Sequence, residues 1–148
     1  MTAEDIYIDP SALIRLYLRQ DGSAELAAWR RRLRGSFPVT HHGRVELANA
    51  VGRAVFREEI TPEQAAETWS WILDDFAHGR LSQADLLWRA ALNRAVELGL
   101  LHTPKLGTRS LDVLHVACAL ELNAKYFLTF DERQQELAAA VGLKLIRL

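Results

Sequence analysis

Four carboxylates stand in settings that ask for an explanation. Asp9 closes the apolar run Ile6-Tyr7-Ile8 and is followed by Pro10-Ser11-Ala12-Leu13. Asp131 closes Tyr126-Phe127-Leu128-Thr129-Phe130 and precedes a helical run. Asp112 lies in Leu111-Asp112-Val113-Leu114-His115-Val116-Ala117-Cys118-Ala119-Leu120, apolar nearly all round. Glu46 lies in Arg44-Val45-Glu46-Leu47-Ala48-Asn49. Each acid alone has an ordinary role. Asp9 and Asp131 precede helices, where Asp is a favoured N-cap. Glu46 suits the positive end of a helix dipole. Asp112 is a poor interior helix residue whose burial is costly unless paired, and Arg109 one turn earlier offers a structural ion pair. His115 shares a helix face with Asp112 and reads first as a satisfied core histidine, with metal or phosphate contact as the sharper alternative.

Taken together the acids suggest one site. Short apolar strands are expected at residues 6–8, 37–40, near 81, 126–130 and 143–146, with Pro38 confining its strand to an end or an edge. Helices are expected at 11–19, 23–33, 44–57, 61–78, 82–99, 109–122 and 131–141. Thr61-Pro62-Glu63 is a clear helix start, and Ser82 and Thr108 are expected caps. His41-His42-Gly43 reads as a turn and Leu100 to Gly107 as a loop. Val45, Ala48, Val51 and Val55 are expected to face inward. The alternation predicts an α/β fold: a small parallel β-sheet of about four to five strands with helices on both faces.

In such a sheet functional side chains gather at the carboxyl ends of the strands. Asp9 and Asp131 end two strands, Glu46 follows a third, and Asp112 opens the helix that leads into the Asp131 strand. Two carboxylates 4 Å apart repel by roughly 4 kcal/mol at an effective dielectric of 20. Four converging acids therefore call for a cation, and an all-oxygen set selects Mg²⁺ or Mn²⁺. Zinc fits poorly, since Cys118 stands alone and no HExxH is present. A phosphoryl-accepting receiver domain would want adjacent acids after the first strand and a lysine after a late one. Here Pro10 follows Asp9, and Lys144 lies within the last strand.

The remaining composition sets limits. At 148 residues, 49% hydrophobic and 25% charged, the chain is expected to form a single domain, 1–148, with a full core. A net charge of −1 predicts no general attraction to nucleic acid, although 15 Arg against 3 Lys leave room for a local phosphate patch. The lone cysteine excludes an internal disulfide and fits a reducing, cytoplasmic setting. No run approaches transmembrane length, and Glu4 and Asp5 stand where a signal peptide carries positive charge.

The four acidic segments, in this order and at these distances, resemble those of PIN-domain ribonucleases, and within them the VapC-type toxins of prokaryotic toxin–antitoxin pairs. The resemblance rests on Ile8-Asp9-Pro10-Ser11-Ala12-Leu13, on Glu46 with Leu47 and Asn49, on Leu111-Asp112-Val113-Leu114-His115-Val116-Ala117, and on Leu128-Thr129-Phe130-Asp131-Glu132-Arg133. It implies that Asp9, Glu46, Asp112 and Asp131 hold one or two divalent ions. It implies that metal-activated water hydrolyses RNA, leaving a 5′-phosphate and a 3′-hydroxyl. Ser11 and Thr129 match the small hydroxyl residues beside the acids, and Pro10 replaces a hydroxyl residue often found after the first Asp. Arg109 and Arg133 become candidates for phosphate contact or acid orientation. The implied partners are an RNA substrate, a VapB-like antitoxin and a second copy of the chain. A PIN-like binding module without catalysis is the alternative.

Overall fold

The structure, a computed structural model, describes residues 1–148. The first strand, β1 (Ile6–Ile8), has all three residues buried. Ile6 and Ile8 face one core with Leu13, Leu26, Phe37, Leu47, Ile72 and Leu128. Tyr7 faces a second core with Val116, Cys118, Phe127, Leu137 and Leu143. That period-two split is why the strand reads as a continuous apolar run and carries helices on both faces.

After β1, Asp9 caps α1 (Pro10–Leu13), and Pro10 supplies the φ of the first helical turn. The helix tightens into a 3-10 turn at Ile14–Leu16 instead of running on to Arg19 as expected. Then come α2 (Ser23–Arg31), β2 (Phe37–Val39), α3 (His41–Phe56), α4 (Pro62–Ala77), β3 (Leu81–Gln83), α5 (Trp88–Leu106), α6 (Ser110–Glu121), β4 (Tyr126–Leu128), α7 (Glu132–Ala140) and β5 (Lys144–Leu145).

All strand pairs are parallel, in two ladders, β1-β4-β5 and β2-β3. β1 lies beside β2 without joining its ladder. Phe37 N–H donates to Arg80 C=O across the β3 side. Alternation then turns position 38 toward β1, where proline has no N–H to give. Pro38 is thus at a ladder edge, as expected. No helix is long and apolar enough to cross a membrane.

Several expected boundaries are corrected. His41-His42-Gly43 is no turn but the first turn of α3, because Thr40 caps it by accepting from Gly43 N–H at 3.0 Å. The earlier start changes which residues lie inward: Gly43, Leu47, Val51 and Ala54 are buried, whereas Val45 is exposed. Ser82 caps nothing; its backbone belongs to the ladder opposite Pro38, and α5 waits until Trp88. The expected loop from Leu100 is the last part of α5. Pro104 removes one backbone donor there, and Gly107 closes the helix in the left-handed region at φ 64°. Thr108 lies outside α6, its hydroxyl bonded to that of Thr103 at 2.8 Å; Arg109 holds the cap position. On α4, Ile72 is buried but Leu73 is exposed, so the helix turns only a narrow apolar face inward.

Candidate active site

The carboxyl ends of β1 and β4 and the first turns of α3 and α6 meet at one edge of the molecule. Asp9, the residue after β1, is 4% exposed. Its Oδ2 accepts from the N–H of Ser11 at 3.0 Å and from the Ser11 hydroxyl. Its Oδ1 accepts from Gln134 Nε2 at 2.8 Å. One side chain therefore both caps α1 and lines the cavity described below.

Glu46 stands in the second turn of α3, and its Oε2 lies 2.6 Å from His115 Nε2. His115 is 1% exposed, and its Nδ1 lies 2.7 Å from the Tyr7 hydroxyl. A neutral ring satisfies both contacts: Tyr7 O–H donates to Nδ1, and Nε2–H donates to the carboxylate. Burial pulls the His115 pKa down, but the Glu46 hydrogen bond and the charges of Asp9, Glu46 and Asp112 carry it above the ordinary histidine value. His115 is thus a buried histidine with both ring nitrogens partnered, and it lies next to the acids.

Asp112, in the first turn of α6, has its carboxyl pushed above the usual range, first by burial and then by the charge of Asp9. Arg109 opposes this, donating from Nε to Asp112 Oδ2 at 3.3 Å while remaining largely exposed. The Arg109–Asp112 contact that the spacing offered as a structural ion pair is present. Asp131 caps α7, accepting from Gln134 N–H at 2.8 Å, and its own N–H donates to Thr129 Oγ1 at 3.2 Å. Arg133 donates to the Gly107 carbonyl at 3.3 Å.

Asp9, Ser11, Glu46, Asp112 and His115 line one cavity of about 590 Å³ together with Arg109. Asp131 and Arg133 line an adjoining one of about 600 Å³, and Asp112 and Arg109 belong to both. Asp131 is therefore at the margin and the other three acids form the centre. Their donor chemistry, carboxylate oxygen throughout, suits a hard divalent cation. Their spacing as it stands does not enclose one: no group of three His, Cys, Asp or Glu side chains is arranged to hold a metal ion. Each acid is instead held by a protein donor.

Other contributors escaped the sequence reading. Arg53 lines the Asp9 cavity seven residues after Glu46, with Asn49 between them, a helical spacing that could have flagged it. Gln134 is fully buried and bonds Asp9; a glutamine in a polar-looking helix gives no signal of this. His42 stacks on His115 with centroids 4.5 Å apart and meets Trp88 edge-on at 5.0 Å. Both its ring nitrogens are buried without a partner, and burial, then the charge of His115, lowers its pKa to about 4.

Fold and site together define a parallel α/β protein with an acidic cavity at the carboxyl ends of its strands. The particular family follows from comparison with known ones: the PIN domain model matches residues 6–140, and the chain belongs to that family. PIN domains are generally nucleases, which act as hydrolases on nucleic acids. A comparison with curated individual proteins finds no match.

Proposed function

We propose that this protein is a divalent-metal-dependent endoribonuclease and serves as the toxin of a toxin–antitoxin pair, in the manner of VapC-type proteins. One observation carries the reading: Asp9, Glu46 and Asp112, more than a hundred residues apart at the extremes, line one cavity, where burial first and the charge of Asp9 second raise the Asp112 pKa. Mg²⁺ or Mn²⁺, as one or two ions, is the cofactor that answers that repulsion. Asp9, Glu46 and Asp112 would hold it, with Asp131 beside them. When bound, such an ion supplies an activated water and neutralises phosphate oxygens. The chain's own residues do the rest. Ser11 and Gln134 fix the Asp9 carboxylate, His115 fixes Glu46, and Arg109 is placed to exchange Asp112 for a phosphate oxygen. Arg53 and Arg133 flank the acids, where they can take neighbouring phosphates of a single strand. Thr129 supports the backbone of Asp131.

The toxin role implies a cytoplasmic protein and an antitoxin. Its expected form is a segment that folds on binding, with an amphipathic helix on the apolar surface and a basic side chain in the acidic cavity. A homodimer belongs to the same proposal. Trp71 on α4 and Leu92, Val96 and Leu100, spaced four apart on α5, are exposed apolar side chains that an interface would cover.

A second reading, a PIN-fold binding module without catalysis, is favoured by the absence of a three-ligand cluster. One assay separates the two. Purified protein with Mn²⁺ should cut single-stranded RNA, EDTA should stop it, and Asp9→Asn or Asp112→Asn should lower the rate by orders of magnitude while the fold persists. No cleavage, or cleavage indifferent to EDTA and to these substitutions, would overturn the nuclease reading.

A further inference from the structure

Gln134 is the one fully buried amide side chain in the molecule, at 0% exposure. It sits in α7 between Leu137 and the cap residue Asp131, facing the acids. Its Nε2 donates to Asp9 Oδ1 at 2.8 Å and to the Asp112 carbonyl at 3.2 Å, so both amide hydrogens are used. Its backbone N–H donates to Asp131 Oδ1 at 2.8 Å. One residue therefore touches three of the four acidic positions, which follow β1, lie in α6 and cap α7.

Packing does not explain this choice. Gln134 Oε1 is buried with no hydrogen-bond partner, and an orphaned acceptor of this kind is a penalty that Leu or Met of similar volume would avoid. The amide end that is satisfied is the one that grips Asp9. Asp9 has no other donor on Oδ1; its remaining bonds, both from Ser11, fall on Oδ2. Without Gln134 the carboxylate is held on one oxygen only and can turn about its terminal torsion, a broad and soft one.

We propose that Gln134 is a positioning residue of the acidic site: it fixes the Asp9 carboxylate against the Asp112 segment, and so sets the spacing at which these acids meet a divalent cation. This rests on the proposed metal site, which the sequence resemblance did not extend to residue 134. A neutral donor does what a lysine or arginine cannot. It orients the carboxylate without cancelling the charge that draws the ion.

The test uses Gln134→Met, which keeps the volume and removes the donor, beside Leu137→Ala, which weakens the same helix without touching an acid. Partners that hold metal-binding carboxylates typically contribute about 10–100-fold in affinity. Calorimetric titration of the folded proteins with Mn²⁺, without RNA, should show Gln134→Met binding at least tenfold more weakly, and Leu137→Ala unchanged despite a lower melting temperature. A second, metal-free measurement is the carboxyl ¹³C resonance of Asp9, assigned with Asp9→Asn. It should move in Gln134→Met and stay in Leu137→Ala. An unmoved Asp9 resonance, or Mn²⁺ affinity equal to wild type, would overturn the proposal. Wild type that fails to bind Mn²⁺ would overturn the metal site instead, leaving the ¹³C measurement to judge Gln134 alone.

Discussion

Removing the His115 side chain should reveal the Tyr7–His115–Glu46 relay as an energetic unit. His115→Ala deletes a hydrogen bond to a carboxylate, a class of bond that contributes about 1.5–3 kcal/mol. It also leaves the Tyr7 hydroxyl, in a residue 2% exposed, without its 2.7 Å partner, and a buried orphan costs about 1–3 kcal/mol. Allowing for overlap between these contributions, the expected loss is about 3–5 kcal/mol. At about 2–4 °C per kcal/mol for a chain of this size, the melting temperature should fall by on the order of 10 °C. Tyr7→Phe should cost less, about 1–2 kcal/mol, because the ring stacked on Phe127 remains. The assay is urea denaturation at neutral pH in EDTA, for both single variants and the double variant. If the relay works as drawn, Tyr7→Phe should add almost nothing once His115 is gone. Losses that sum to within about 0.5 kcal/mol would mean the contacts are independent, and the relay would be refuted.

Acid should expose His42. Its folded pKa lies near 4 against 6.5, so its contribution is present above pH 6.5 and is lost as pH falls from 6.5 through 4. That drop corresponds to roughly 3 kcal/mol at most, and to about 1–2 after discounting for the partly solvated ring. The opposite sign holds for His115, whose raised pKa contributes stability below 6.5 that is lost as pH rises through the folded value; Asp112 likewise regains stability as acid protonates it. The difference between wild type and His42→Phe across pH 4–7 isolates the His42 part, and a flat difference would contradict it. Arg109→Ala should slow RNA cleavage by at least tenfold with little change in melting temperature, since the pair is exposed on the Arg side; unchanged kinetics with lost stability would return Arg109 to a purely structural role. The proposed toxin role predicts that affinity for a cognate antitoxin, measured by calorimetry, falls as Mn²⁺ rises, since the proposed ion and basic side chain would compete for the same acids; equal affinities would mean inhibition by coverage alone.

Much of this architecture was legible in the residues. Ile6-Tyr7-Ile8 and Tyr126-Phe127-Leu128 announced buried parallel strands because both faces are apolar, and Thr61-Pro62 announced α4 because cap and first-turn chemistry are local. Legibility failed where tertiary pairing overrode local signals. Ser82 has the chemistry of a cap, but its backbone is taken by β2. Pro104 and Gly99 look like the end of a helix, yet packing of α5 against α6 carries it through to Gly107. Of the site, the acids were readable from their positions at strand ends and in an apolar helix. Their partners were not: Tyr7 reads as core, Gln134 as helix surface, and His42 as turn. Those roles depend on which side chain faces which between segments distant in the chain, and no local pattern encodes that.

The proposed nuclease chemistry requires that the central acids take a cation. Crystals soaked in Mn²⁺ and measured at the manganese edge provide the most direct measurement. An anomalous peak is expected in the Asp9 cavity, in contact with the carboxylates of Asp9 and Asp112 and beside Glu46, and absent in crystals of Asp112→Asn. A peak confined to the surface, or no peak at saturating Mn²⁺, would contradict the proposed metal site.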